Sequence, residues 1–194
     1  MVMPYDANAD ATDDALLRLY ALGDGQAARE LTARLAPRLV SFARRMLGDV
    51  AEAEDVVQET MLRLWKIAPQ WQPGSARVST WAFRVASNLC TDRLRRRRGQ
   101  PLDAVPEPAD DRPDADQGLI EADRLAALDA ALARLPQRQR QAVVLRHIEG
   151  LSNPEIAETM GIGVEAVESL TARAKRALAA MLAGRKEELG YDEG

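Results

Sequence analysis

Between Gly99 and Gly118 the chain runs GQPLDAVPEPADDRPDADQG, and this stretch constrains how everything else can fold. It holds four prolines and six acids (Asp103, Glu107, Asp110, Asp111, Asp114, Asp116) against one base, Arg112, with almost no large apolar side chain. Such a segment cannot bury enough surface to offset the entropy of ordering it, so the sequence predicts a flexible acidic linker. The 194 residues then read as two small domains, 1–98 and 119–194, joined by 99–118. Aromatics make up only 4% of the chain, Ala, Leu and Arg abound, and β-branched runs are absent. That balance predicts an all-α fold with mostly aliphatic cores.

The second domain carries LSNPEIAETMGIGVEAVESLTARAKRAL, residues 151–178. Ser152 is a good N-cap, and Glu155 three residues on completes a capping box. Pro154 falls in the first turn, where its missing N–H costs little. Ile156, Ala157 and Met160 form the apolar stripe, and Gly161 stands where a left-handed residue ends the helix. Ile162 is expected to plug the core, and a second helix to run from about Val164 to Ala180. Small Ala157, turn Gly161 and inward Val167 sit at the fifth, ninth and fifteenth positions of a helix-turn-helix. An ordinary helical hairpin is the alternative. The agreement of spacing, caps and turn favours DNA binding.

The first domain reads as four helices. One covers about Asp13 to Leu22 and ends at Gly23. The next, about Gln26 to Leu47, lines Leu31, Leu35, Leu39, Phe42 and Met46 on one face, with Pro37 a possible kink. Gly48 ends it and Asp49 caps the third. There Val56, Val57, Met61, Leu64 and Trp65 form the buried side, and acids in the first turn suit the helix dipole. A loop follows, and Ser79 is expected to cap the fourth helix, with Trp81, Val85 and Leu89 facing the core.

The net charge of −4 looks wrong for a DNA binder, but its distribution matters more than its sum. From Arg77 to Arg98 seven arginines (77, 84, 93, 95, 96, 97, 98) face a lone Asp92. A single Cys90 and a single His147 exclude a Cys/His zinc cluster and an internal disulfide. Cys90 reads as a small buried hydrophobe in a helix. No stretch reaches the length of a membrane helix and no signal peptide opens the chain, so a cytoplasmic protein is expected.

Three blocks in order, AEDVVQETMLRLWK, STWAFRVASNLCTDRLRRRR and LPQRQRQAVVLRHIEGLSNPEIAETMGIGVEAVESL, resemble a bacterial sigma factor. The short two-domain form resembles the extracytoplasmic-function group of the sigma-70 family, over roughly residues 13 to 182. The resemblance implies a first domain (region 2) that binds core RNA polymerase and melts the minus-10 element. It implies a second domain (region 4) that binds the minus-35 element, and regulation by an anti-sigma factor. No cofactor and no metal are implied.

Carried onto this chain, the resemblance gives Asp55, Gln58, Glu59, Leu62 and Arg63 as core-polymerase contacts. A solvated helix face is the other reading of those residues. It gives Gln72, Ser75, Arg77, Arg84, Asn88, Arg95 and Arg96 to minus-10 DNA, where stacking, base-edge and phosphate groups are needed. Asn88 offers both a donor and an acceptor to a base edge, or else packs within its helix. Trp81 reads as core more readily than as a contact to unpaired DNA. The minus-35 contacts are Arg138, Arg140, Glu165, Glu168, Ser169, Thr171, Arg173, Lys175 and Arg176. Here the chain departs from the usual family pattern of a basic residue, Ser and Arg, with Glu168, Ser169 and Leu170. Glu168 still suits a cytosine N4.

The linker has two readings of equal weight. In the family it threads basic polymerase channels, which suits an acidic mimic of RNA; otherwise it is a spacer kept acidic for solubility. Two other function classes compete. A free-standing helix-turn-helix regulator explains residues 119–182 but not the two blocks before the linker. A nucleic-acid enzyme lacks metal ligands, a phosphate-binding Gly loop and a Ser/His/Asp set.

Overall fold

The computed structural model describes residues 11–72, 74, 76–98 and 116–183, with the backbone alone at 98 and 116–122. The described residues are helical, with no strand among them, as the composition demands. They divide into two compact units, the break along the chain falling at Arg95–Arg96.

Four helices build the first unit, each bounded by local chemistry. Helix α1 (Asp13–Ala21) is capped by Thr12, whose hydroxyl accepts from the Ala15 N–H at 3.3 Å. Helix α2 (Gly25–Leu47) is capped by Asp24, which accepts from Gln26 N at 2.8 Å, and the helix runs on through Pro37. Gly48 closes α2 at φ 70°, a left-handed conformation that suits a residue without Cβ. Asp49 then caps α3 (Val50–Ile67) by accepting from Glu52 N at 2.9 Å. With two linking residues between them, α2 and α3 fold back on each other as a tight pair. A 3-10 turn (Ala68–Gln70) leads to the loop before α4 (Val78–Arg98).

The core of this unit is the predicted α2 stripe of Leu31, Leu35, Leu39, Phe42 and Met46, set against Ala53, Val56, Val57, Met61 and Leu64 of α3. Trp65 is half-buried against Tyr20, ring centroids 4.5 Å apart. Two expectations fail in α4. The helix starts at Val78, so Ser79 lies inside it rather than at its cap. Its buried line is Val78, Ala82, Phe83, Ala86 and Cys90, while Trp81, Val85 and Leu89 are only half-buried. At 100° per residue those three fall on the flank between the inner and outer faces. Phe83 packs edge-on to Phe42 at 5.7 Å, with the Arg38 guanidinium 5.2 Å above its ring. Cys90 is buried as expected, and burial pushes its thiol up to about 12.

The second unit holds α5 (Asp116–Ala133), α6 (Gln137–His147), most of α7 (Asn153–Met160) and α8 (Val164–Leu182). Helix α5 begins three residues inside the stretch read as linker. Pro113 is the last proline before it, and Asp116 sits where the helix dipole favours an acid. The rest of that stretch lies outside the described residues. The capping box forms as predicted: Ser152 N and Oγ donate to Glu155 Oε2 at 2.8 and 2.6 Å, and Glu155 N donates back to Ser152 Oγ at 3.5 Å. Gly161 turns at φ 62° and Ile162 N donates to Ala157 O at 3.0 Å. Ile156, Val167 and Ala174 are fully buried, and α8 packs on α6 and α5. Ile162 does not plug the core but is half-buried.

Candidate nucleic-acid interface

Three surfaces carry the predicted contacts. On α3, Asp55, Gln58, Leu62 and Arg63 are exposed and Glu59 is half-buried. Their spacing of three to four residues puts them on one face, opposite the buried Ala53, Val57 and Leu64. Arg63 Nε donates to Glu59 Oε1 at 2.8 Å, an exposed pair worth little to stability. Leu62 stands 54% exposed amid these charges, an apolar knob in a polar field. That combination suits a protein partner better than a phosphate backbone.

The second surface is the outer side of α4. Arg77, Arg84, Asn88 and Arg95 are all exposed, and their spacings of seven, four and seven residues keep them within about 20° of one line. This stripe lies opposite the buried Ala82–Ala86 line. It presents three guanidinium groups and one carboxamide, the chemistry that phosphates and a base edge require. Arg95 Nη2 donates to Asp92 Oδ1 at 3.1 Å, which partly offsets its charge. Arg96 is exposed but lies about a quarter turn off the stripe. Gln72 is exposed before the helix, and Ser75 lies outside the described residues. Trp71 and Trp81 bracket the loop, their rings edge-on at 6.2 Å.

The third surface is α8. Glu165, Glu168, Arg173, Lys175 and Arg176 are exposed and Ser169 is half-buried, whereas Val167 and Ala174 point inward. Acids occupy the start of this face and bases its end. Two predicted contacts are placed elsewhere. Thr171 sits one turn beyond Val167, and its Oγ1 is buried on the side of α8 that Val167 occupies. Arg140 is half-buried, and its Nη2 donates to Ala133 O at 2.5 Å and Leu135 O at 3.4 Å. It therefore satisfies carbonyls at the end of α5 rather than reaching for phosphates. Arg138, in the first turn of α6, remains exposed. Burial, Lys175 and Arg146 hold His147 below its ordinary range, so it is neutral at pH 7 and adds no charge to this face.

Two participants were not legible beforehand. Asn153 Nδ2 donates to Glu168 Oε1 at 3.4 Å, linking the start of α7 to α8. Trp71 Nε1 donates to Asp14 Oδ1 at 2.9 Å across 57 residues of sequence. Only the second lacks any sequence signal, since Asn153 stands at a helix start where a polar side chain attracts notice.

Comparison with known proteins follows the same division. A family profile described as Sigma-70 region 2 matches residues 31–100, and one described as Sigma-70, region 4 matches residues 125–178. The chain is 37% identical to the ECF RNA polymerase sigma factor SigE of Mycolicibacterium smegmatis over 82% of its own length and 63% of that protein's. It thus spans less than two thirds of that relative. It is 40% identical to the ECF RNA polymerase sigma factor SigF of Caulobacter vibrioides, covering 81% of this chain and 86% of that one. Among solved structures, CnrH in complex with the cytosolic domain of CnrY aligns with a TM-score of 0.68 at 28% identity, covering 89% of this chain and 97% of that one.

Proposed function

The chain belongs to the extracytoplasmic-function group of the sigma-70 family, and from that premise we propose that it is an alternative sigma factor that recruits core RNA polymerase to promoters. One observation carries the proposal: two helical units, matching region 2 and region 4 in that order, each turn a charged face outward. The chain directs chemistry that the polymerase performs; it is an initiation factor, not an enzyme.

In this reading the α3 face of Asp55, Gln58, Glu59, Leu62 and Arg63 docks on core polymerase. The α4 stripe, with Gln72 and Ser75 of the preceding loop, selects and holds the melted minus-10 strand. Arginines grip the phosphates and Asn88 reads a base edge. Helix α8 enters the major groove at the minus-35 element with Glu165, Glu168, Ser169 and Arg173, while Lys175, Arg176 and Arg138 grip the backbone. The acidic stretch 99–115 tethers the two functions.

The protein works in the cytoplasm and is held by an anti-sigma factor until released. The solved pairing of the similar CnrH with a cytosolic domain of CnrY supports capture by a protein partner.

The test is run-off transcription on a genomic promoter pool with purified core polymerase. Wild type should give discrete transcripts that core alone does not. Asp55→Lys with Glu59→Lys should compete poorly for core while staying helical by circular dichroism. Asn88→Ala should bind core normally yet lower the permanganate reactivity of minus-10 thymines. Absence of any chain-dependent transcript refutes the proposal.

A further inference from the structure

We propose that Asp14, on α1, is a positioning residue for minus-10 recognition: it fixes Trp71 at the entry of the Gln72–Val78 loop against Trp81 just past the loop's exit. This inference rests on the reading that this loop and the α4 stripe select the minus-10 element.

The contact is local and directional. Trp71 ends the 3-10 turn, with its backbone N–H donating to Ala68 O at 3.2 Å. Its half-buried indole N–H donates to Asp14 Oδ1 at 2.9 Å, and a charged acceptor makes the stronger kind of hydrogen bond. Its ring then meets Trp81 edge-on, centroids 6.2 Å apart. One indole is therefore tied to α1 through its nitrogen and to α4 through its face or edge.

The helix that supplies Asp14 is itself fixed. Leu16 and Leu17 are fully buried, and Tyr20 stacks obliquely on Trp65 at 4.5 Å. At the other end, Arg34 pairs with Asp13 at 3.5 Å and donates to Ala11 O at 2.6 Å. Helix α1 packs on both α2 and the 3-10 turn. Asp14 is thus presented from a rigid element.

Pinning a loop at both ends narrows the conformations it must give up on binding, which is how preorganisation sharpens recognition. Gly74, at φ 87°, makes such pinning more consequential because glycine adds backbone freedom. Asp14 needs no contact with DNA to act this way.

The experiment uses full-length chain in holoenzyme. It measures open-complex yield on the minus-10 sequence wild type prefers, divided by the yield on single-base variants, alongside affinity for core. Asp14→Leu and Trp71→Phe, the latter keeping a ring but no donor, should each lower that ratio about fivefold, the factor a net hydrogen bond carries. Asp14→Asn retains an acceptor oxygen and should keep the ratio within about twofold of wild type. Core affinity should not change.

A wild-type ratio in both Asp14→Leu and Trp71→Phe overturns the proposal. So does a fall in core affinity that parallels the fall in ratio, because the contact would then only hold the fold together. An Asp14→Asn as poor as Asp14→Leu also overturns it. If Asn88→Ala lowers the ratio while Asp14→Leu and Trp71→Phe do not, this inference fails alone. If Asn88→Ala and Gln72→Ala also leave it unchanged, the minus-10 reading falls with it.

Discussion

Replacing Glu168 with alanine separates two accounts of the recognition helix by both size and pattern. The Glu168 carboxylate is exposed on α8, and its one described contact is the 3.4 Å hydrogen bond from Asn153. An exposed bond that long contributes at most about 0.5 kcal/mol, so Glu168→Ala should stay folded. On DNA, a carboxylate that merely stands near the backbone repels it weakly. Two unit charges about 8 Å apart in water interact by about 0.5 kcal/mol, less once salt screens them. Alanine would then tighten every sequence by about twofold. A carboxylate that accepts from a cytosine N4 instead discriminates by about 1–3 kcal/mol at one base pair, about 5- to 150-fold. We expect the second result. The assay is selection by holoenzyme from a library randomised across the minus-35 element, read by sequencing for wild type and variant. Cytosine preference should vanish at one position and persist at the others. A uniform gain at all positions refutes the reader role. Selection unchanged by Glu168→Ala, Ser169→Ala and Arg173→Ala alike refutes the placement of the helix itself.

Three further outcomes follow from the same geometry. Phe83→Ala removes a fully buried ring that packs on Phe42 and Arg38, and should cost about 3–5 kcal/mol. Because Trp65, Trp71 and Trp81 all lie in the first unit, urea titration by tryptophan fluorescence reads that loss, and a change under about 1 kcal/mol would contradict the core described for α4. Cys90 titrates near 9.0 when free and at about 12 when buried, so above pH 9 the unfolded chain loses a proton that the folded chain keeps. Stability should therefore decline from about pH 9 to 12 by up to about 1.4 kcal/mol per unit, and a Cys90→Ala variant with the same slope as wild type would show that burial is not the cause. Arg176→Ala should weaken binding to all minus-35 sequences alike and lower the salt slope by about one; a loss confined to one base pair would make Arg176 a base contact instead.

What was legible in the sequence was what depends on near neighbours. The Gly48–Asp49 stop and start, the Ser152–Glu155 box and the Gly161 turn all involve residues one to four apart, and each formed as read. The α2 stripe was equally plain because large side chains repeat there without a break. Interactions that depend on where the chain returns were not visible. Nothing near Trp71 announces Asp14, 57 residues away. Nothing near Arg140 says that its guanidinium will close the carbonyls at the end of α5. Thr171 is a different case. Four residues past Val167, it belongs to the inner face by spacing alone, and its hydroxyl drew attention away from its phase.

Helix α4 shows why the inner face of a helix can escape a reading by side-chain size. The large residues Trp81, Val85 and Leu89 repeat at four-residue spacing and suggest a core stripe. Yet the fully buried line is Val78, Ala82, Ala86 and Cys90, joined by Phe83. Small residues allow close helix approach, so burial here follows contact distance rather than side-chain size. The large side chains then cover the flanks, where half-burial suffices. The residues of the outer stripe came by a different route, the resemblance to the sigma-70 family. Arg77, Arg84, Asn88 and Arg95 could thus be named without knowing the helix's phase. The small-residue line fixes which side of α4 must face in, and these four residues lie directly opposite.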